Sequence, residues 1–262
     1  MSGPLMENIM RLTLVRNATL RLTYADRVLL VDPFLAPRHS QPSLAGVSLN
    51  PTVDLPVPED DVTRGAELVW VSHLHRDHLD LDPVRLPTNL RLLAQPGDVG
   101  ALRTAGFTDV TPLEREETWN GIHLTRTTGT HGTGPVGEAM GQVSGLVLRA
   151  EGEPTVYLAG DTLLTDDVRE VLARHRPDVI VTHSGGAVIA GTLIIMDAEQ
   201  TVTLAREARD ATIVAVHLEA YDHMTVTRDA LNAAITRADL SERVLVPNDG
   251  ETVAFERPVP TR

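Results

Sequence analysis

The 262-residue chain contains no cysteine and, among its 23 basic residues, no lysine. The first absence excludes disulfides, thiol nucleophiles and thiolate metal ligands. The second excludes Schiff-base chemistry and the lysine of a phosphate-binding loop. Aromatic residues make up only 3% of the chain, so the core must be built from Leu, Val, Ile and Ala. Positive charge is also scarce: 23 basic against 36 acidic residues leave a net −13, with a pI near 5.1. That sign opposes nucleic acid and anionic membrane surfaces as partners. The uncharged stretch 185–196 is 12 residues long, short of the ~18–20 that a membrane helix requires. Arg11, Arg16 and Asn17 break the apolar stretch near the N-terminus, where a secretory leader would be continuous. The expectation is a cytoplasmic protein.

What remains is ordinary globular composition, 42% hydrophobic and 23% charged, with no linker long enough to divide residues 1–262 into more than one domain. Residues 18–24 and 27–31 flank Ala25-Asp26 and read as a hairpin. Trp119-Asn120-Gly121-Ile122 marks a second hairpin, with Asn-Gly as its turn. Between Pro37 and Pro58 five prolines punctuate a polar stretch, expected to be an irregular loop beside the site. Beyond residue 150 the runs 155–159, 179–182 and 213–216 are short and apolar, each followed by a helical stretch. Helices are expected over 166–175 and 198–208, the latter capped by Asp197. The fold class is α/β, with sheets covered by helices.

Histidine and aspartate recur at one place in this pattern. The apolar run 68–71 leads to Ser72 and His73, 155–159 to Asp161, 179–182 to His183, 213–216 to His217, and 27–31 to Asp32. Each run delivers a metal-capable residue at the carboxyl end of a strand, the edge where ligands bind in layered α/β proteins. The densest point is Ser72-His73-Leu74-His75-Arg76-Asp77-His78-Leu79-Asp80. His73, His75, Asp77 and His78 cannot all point one way on a helix or strand. A loop leaving a strand can turn His73 and His75 toward one ion, and Asp77 and His78 toward another. Imidazole and carboxylate suit Zn²⁺, Mn²⁺ or Fe²⁺.

His-x-His-x-Asp-His after a strand resembles the hallmark of the metallo-β-lactamase superfamily, and the resemblance continues in order with His131 in Gly129-Thr130-His131-Gly132, Asp161 in Gly160-Asp161-Thr162, and His217. His78-Leu79-Asp80, Asp32-Pro33-Phe34 and Gly160-Asp161-Thr162 resemble more narrowly the branch containing ascorbate-6-phosphate lactonase. N-acyl-phosphatidylethanolamine phospholipase D shares part of this pattern. The resemblance implies a four-layer αββα sandwich holding two divalent cations, Zn²⁺ or Mn²⁺ first and Fe²⁺ also compatible. One would be held by His73, His75 and His131, the other by Asp77, His78 and His217, with Asp161 bridging. It implies a hydrolase in which hydroxide, formed from metal-bound water whose pKa falls from 15.7 to roughly 7, attacks a lactone, ester or phosphoester of a small metabolite, anionic ones included. His75 disfavours flavodiiron redox chemistry, where a glutamate stands at that place. The alternatives are a mononuclear non-haem iron dioxygenase on the same scaffold and a non-catalytic metal-binding protein.

Around these ligands, Asp32 and Asp80 are candidates to accept the second ring N–H of a ligand histidine. Asp-Pro is also an ordinary turn opener, and Asp80 also suits the N-cap of a short helix. His183 reads as a substrate contact or a packed core residue, and Gly185-Gly186 as a backbone wall approaching the substrate. Asp77 is counted among the catalytic groups, as is His223, on a polar loop, as a general acid or substrate contact. Arg76 either touches an anionic substrate or points to solvent. His39, His123 and His175 lack clustering and read as surface or structural residues. The chain could also form a homo-oligomer.

Overall fold

A computed structural model describes residues 9–79, 81 and 85–256. The chain opens with three antiparallel strands, β1 (Ile9–Arg16), β2 (Thr19–Tyr24) and β3 (Arg27–Val31). Ala25 and Asp26 both adopt positive φ, 48° and 58°, the geometry whose twist matches that of a hairpin's strands. The five-proline segment then carries no regular element beyond a single bridge between Gln41 and Asn50. After the short α1 (Glu59–Thr63), β4 (Leu68–Val71), β5 (Arg91–Ala94) and β6 (Asp109–Pro112) add in parallel, with α2 (Val99–Thr104) before β6.

The second sheet begins with β7 (Glu116–Trp119) and β8 (Ile122–Thr128), turned at Asn120-Gly121 as expected. α3 (Gly134–Met140) precedes β9 (Ser144–Arg149) and β10 (Val156–Leu158). From there the chain alternates: α4 (Asp166–His175), β11 (Val179–His183), the small hairpin β12 (Val188–Ile189) and β13 (Thr192–Leu193), α5 (Ala198–Glu207), β14 (Thr212–Val216), α6 (Arg228–Arg237) and β15 (Val244–Leu245). Asp197 caps α5, its carboxylate accepting from the Gln200 N–H at 2.9 Å. The last strand, β16 (Thr252–Glu256), returns to pair with β1. The sheet orders are β16-β1-β2-β3-β4-β5-β6 and β15-β14-β11-β10-β9-β8-β7.

Side-chain alternation, with period two along a strand, assigns these sheets to four layers. Leu29, Val31, Leu68 and Trp70 from the first sheet meet Leu146, Leu148, Val179, Val181, Val214 and Val216 from the second in a middle core. The intervening residues point outward. Leu30, Val69, Val71 and Leu92 pack under Val62 of α1 and Val99 and Leu102 of α2. Val147, Tyr157, Ile180 and Ile213 pack under Val168 of α4, Leu204 of α5 and Leu231 and Ile235 of α6. Burial on both faces explains why the parallel strands read as continuous apolar runs rather than alternating ones. The architecture is the expected αββα sandwich. Both sheets present the carboxyl ends of their parallel strands at one edge: Asp32 follows β3, His73 follows β4, Asp161 follows β10, His183 ends β11 and His217 follows β14. None of the helices among the described residues is long and apolar enough to cross a membrane.

Candidate metal centre

The two sheets are tied together where these ends meet. The His217 N–H donates to the Asn17 carbonyl at 3.0 Å, and the Ser144 N–H to the Ser72 carbonyl at 3.2 Å. Asn17, in the β1–β2 turn, sends its side-chain amide to the Asp77 carbonyl at 2.9 Å. Asn17, Asp32 and His217 all hold positive φ, 59°, 44° and 61°. Such conformations cost of order 1–3 kcal/mol for residues other than glycine and persist where surrounding contacts over-determine them.

Within this edge lie two groups of side chains, each with ligand-capable atoms within 4.8 Å of one another. The first is His73, His75 and His131; the second is His78, Asp161, His183 and His217. Asp161 reaches both. Its Oδ2 is 3.2 Å from His78 Nε2, 3.4 Å from His131 Nε2 and 3.9 Å from His73 Nε2, and its Oδ1 is 3.7 Å from His217 Nε2. Asp77 Oδ2 stands 3.3 Å from His217 Nε2 and 4.0 Å from His78 Nε2. Side chains separated by as many as 144 residues along the chain, from His73 to His217, thus share one small volume.

Hydrogen bonds fix which ring nitrogen faces inward. His78 Nδ1 is 2.8 Å from Asp32 Oδ2, so its Nε2 points into the site. Asp32 is itself held by the Ser72 N–H at 2.7 Å and the Ser72 hydroxyl at 2.6 Å, and Ser72 Oγ lies 2.9 Å from His73 Nδ1. His131 Nδ1 donates to the Ile194 carbonyl at 2.8 Å, turning its Nε2 toward His75 Nδ1, 3.2 Å away. Asp32 therefore occupies the supporting place expected for it; Asp80 lies outside the described residues.

Two features match this donor set to divalent cations. His73 Nε2 is fully buried and has no hydrogen-bond partner, and His78 Nε2 and His217 Nε2 face each other at 3.1 Å. A divalent cation would meet the nitrogen lone pairs in both positions. The charge balance points the same way. Asp32, Asp77 and Asp161 are all buried, and among the described residues their ion pairs are with histidines and none is with an arginine. Buried carboxylates need compensating charge. Burial, reinforced by neighbouring His78, pushes His73 well below the ordinary imidazole range, and burial with His131 lowers His75, keeping both neutral. Burial opposes ionisation of Asp161, but His78, His217 and His131 outweigh it and hold the carboxyl well below its usual value. Neutral His73 and His75 beside an ionised Asp161 are in the forms that bind a metal ion. Burial opposes a proton on His78, but the same three carboxylates, Asp161 foremost, raise it well above the ordinary imidazole range, and a bound cation would displace that proton.

Of the two readings of His183, the packed residue is the one seen: it is the last residue of β11, buried, with Nδ1 2.6 Å from Asp161 Oδ1 beneath the site. The strand runs one residue further than its apolar pattern, and this carries the ring into the second ligand group. Gly185 and Gly186 sit against other parts of the chain. A Cβ on Gly185 would collide with the His217 carbonyl and Met224 Sδ, and one on Gly186 would meet Val226 and Thr225 at 2.7 and 2.9 Å. They allow the chain's own 217–226 segment to approach. The second group also gathers around Asp161 and His183 more closely than around Asp77, which stands at its edge toward the cavity.

That cavity, of about 410 Å³, is lined by His75, Asp77, His131, Asp161 and His223 together with apolar groups, Leu44, Leu74, Met140, Ile189, Ile194 and Tyr221 among them. Arg76 is its one basic residue outside the histidines. His223 is buried there with Nδ1 unpartnered. His39 and His123 are exposed and His175 lies on α4, away from both groups. Sequence reasoning passed over Asn17 and Ser72. Ser72 sits inside the motif and could have been noticed there; Asn17 reads only as a turn residue until its cross-sheet partners are seen.

Residues 27–218 match the beta-lactamase superfamily domain family. The chain is 34% identical to UPF0173 protein YddR of Bacillus subtilis, over 94% of this chain and 100% of that protein. It is 27% identical to a UPF0173 metal-dependent hydrolase of Xanthobacter autotrophicus, over 92% and 96% of the two chains. Among solved structures, a possible metal-dependent hydrolase from Veillonella parvula superposes with a TM-score of 0.90 at 35% identity, covering 94% of this chain and 99% of that one. An isothiocyanate hydrolase from Delia radicum gut bacteria superposes with a TM-score of 0.90 at 33% identity and the same coverage.

Proposed function

The chain belongs to the metallo-β-lactamase superfamily, within its UPF0173 family of metal-dependent hydrolases, and from that premise we propose that it hydrolyses small, uncharged electrophiles carried on an apolar body. Carboxylic esters, lactones and isothiocyanates share that description. The observation that carries this reading is the cavity: catalytic-type groups share its lining with Leu44, Leu74, Met140, Ile189 and Ile194. Clefts of this size and lining bind small ligands through apolar contact, with a few polar groups fixing orientation. A phosphoester, or another anionic metabolite of the lactonase-like branch, would find Arg76 as its one arginine in this lining. The isothiocyanate hydrolase among the similar structures acts on an electrophile of the favoured kind.

His73, His75 and His131 would hold one divalent cation and His78, His183 and His217 a second, with Asp161 between them and Asp77 at the edge of the second. Zn²⁺ or Mn²⁺ suits this imidazole-carboxylate set. When bound, such ions supply Lewis acidity and make water acidic enough to yield a nucleophile near neutral pH. The protein's own groups do the rest. The apolar wall seats the substrate body and excludes bulk water, so the reacting carbon is presented to the His75–His131 side. Asp77, whose ionisation burial opposes but His78 and His217 enforce, is a carboxylate able to accept a hydrogen bond from the attacking water. For an ester, the water oxygen bonds to the carbonyl carbon, the alkoxy C–O bond breaks, and the departing oxygen takes up a proton. His223 lines the cavity, and its ring is placed to relay that proton. Burial lowers its pKa, with Asp77 opposing, so the ring is predominantly neutral and can both accept and donate.

The test is a substrate panel of isothiocyanates, esters, lactones and phosphodiesters, assayed with Zn²⁺, Mn²⁺ and Fe²⁺, with Asp161→Ala as control. Metal-dependent turnover of neutral substrates, abolished in the control, is expected. Turnover restricted to phosphodiesters, or oxygen consumption without hydrolysis, would overturn the reading. The dioxygenase alternative is less favoured, because a second complete group of ligand-capable side chains stands beside the first.

A further inference from the structure

One carboxylate outside the metal centre gathers more hydrogen bonds than any other described side chain. Asp222 lies on the segment between Tyr221 and His223, and it accepts from the backbone N–H groups of Leu44 at 3.0 Å, Ala45 at 3.3 Å, Val47 at 3.2 Å and Ser48 at 3.2 Å. It also accepts from the Ser43 hydroxyl at 2.5 Å and the Asn50 amide at 2.9 Å, while its own N–H donates to Asn50 Oδ1 at 2.9 Å. Ser43 Oγ in turn accepts from the Gly46 N–H at 2.5 Å. The neighbouring Tyr221 hydroxyl donates to Gln41 Oε1 at 2.8 Å.

These bonds organise an otherwise irregular segment. Residues 41–50 have no helix or strand to satisfy their backbone, and Leu44, Val47 and Leu49 are exposed at 51%, 80% and 53%. Hydrophobic collapse does not hold such a segment in place. The Asp222 carboxylate does, by satisfying successive N–H groups from one point, as an anion fills a backbone nest. Gln41, Pro42 and Leu44 of this segment line the substrate cavity together with Ile189 and Ile194, and Tyr221 and His223 beside Asp222 line it too. One side chain thus fixes the cavity's apolar roof relative to its candidate proton relay.

We propose that Asp222 is a positioning residue that sets selectivity for the substrate's apolar body by pinning the 43–50 roof over the cavity. This rests on the hydrolase reading above. It predicts an effect on substrate binding that grows with the apolar length of the substrate and leaves the metal centre intact.

The experiment compares wild type with Asp222→Asn and, as a milder variant in case that protein folds poorly, Ser43→Ala. Hydrogen exchange of the Leu44, Ala45, Val47 and Ser48 amides is measured together with kinetics on a methyl-to-hexyl series of isothiocyanates and acetate esters. The proposal expects exchange at least tenfold faster at those amides in Asp222→Asn. KM for the hexyl substrates should rise about tenfold, against less than twofold for the methyl ones, with kcat changing less than threefold and metal content unchanged. Ser43→Ala should move the same readouts in the same direction by a smaller factor. Equal KM shifts along the series, unaltered exchange, or loss of metal would overturn it. Should wild type turn over no member of the series, the hydrolase reading is what fails, and binding of hexanamide by calorimetry replaces the kinetics. Weaker binding in Asp222→Asn then sustains the roof, and equal or undetectable binding by the two proteins overturns it.

Discussion

The two groups of ligand-capable side chains are held in different ways. Of His73, His75 and His131, the last two line the cavity and His73 is buried beside them; two of the three come from one short loop, and their supports are a serine hydroxyl and a backbone carbonyl. His78, His183 and His217 are buried away from the cavity lining, come from three separate places in the chain, and rest on Asp32 and Asp161. The first group is therefore open to substrate and solvent, and the second is built into the seam between the sheets. Asp161, reaching both, couples them. An ion in the open group should exchange readily with solution, whereas one in the sealed group should behave as part of the folded core.

Removing Asp161 tests the coupling most severely. Asp161→Ala is expected to lower kcat/KM by at least about 10³-fold, several kcal/mol of transition-state stabilisation, and to reduce metal content at both groups, read by elemental analysis. Near-normal metal content would separate the groups and break the comparison.

The next largest contrast is between His217→Ala and His131→Ala. Each should remove about one metal per chain, but only His217→Ala should markedly destabilise the fold, by about 2–4 kcal/mol, because it leaves a buried cavity and uncompensated carboxylates at the sheet seam. Denaturant unfolding of the two variants, with and without metal, measures the difference.

Asp32→Asn should weaken metal binding about 10–100-fold through loss of the bond that orients His78. A chelator competition should show the loss in the tightly held ion and leave the exchangeable one nearly unchanged. His183 sharpens the assignment of the sealed group. His183→Ala is expected to cost at least about tenfold in metal affinity, and His183→Asn, which keeps a donor near Asp161 Oδ1, should recover little of it, as a ligand requires. Full recovery would make His183 a support of Asp161 and not a ligand.

The smallest effect concerns pH. Burial disfavours ionised Asp222, but the bonds from Ser43, Asn50, Leu44 and Ser48 prevail and hold its carboxyl below the ordinary range. A depressed folded pKa means that its stabilisation is present above the unfolded pKa and fades as pH falls through the folded one. Wild type and Asp222→Asn should therefore differ slightly in thermal midpoint at neutral pH and converge in strong acid, well below pH 4. Because Asp222 is only partly buried, the gap should be small.

Much of this was legible beforehand, for identifiable reasons. The hairpins at Ala25-Asp26 and Asn120-Gly121 were readable because their turns demand positive φ at two successive residues. Strand ends were readable because apolar runs stop abruptly at His73, Asp161 and His217. His183 stayed open between packing and substrate contact because a buried histidine looks the same in sequence whether it closes a strand or lines a pocket. The pair Gly185-Gly186 signals close approach without saying to what. The 41–50 roof was foreseen as an irregular loop near the site, but its latch was invisible: Asp222 and Ser43 are 179 residues apart.

The order of apolar runs and of the histidines and aspartates that end them determined the chemistry available to this protein, since residue type fixes which ions and protons a side chain can hold. Tertiary structure alone decided the grouping. Which imidazole shares a cation with which carboxylate, and what kind of wall the substrate meets, depend on distances of 3–4 Å between strand ends. Those distances exist only once burial of both sheet faces has brought the two edges together.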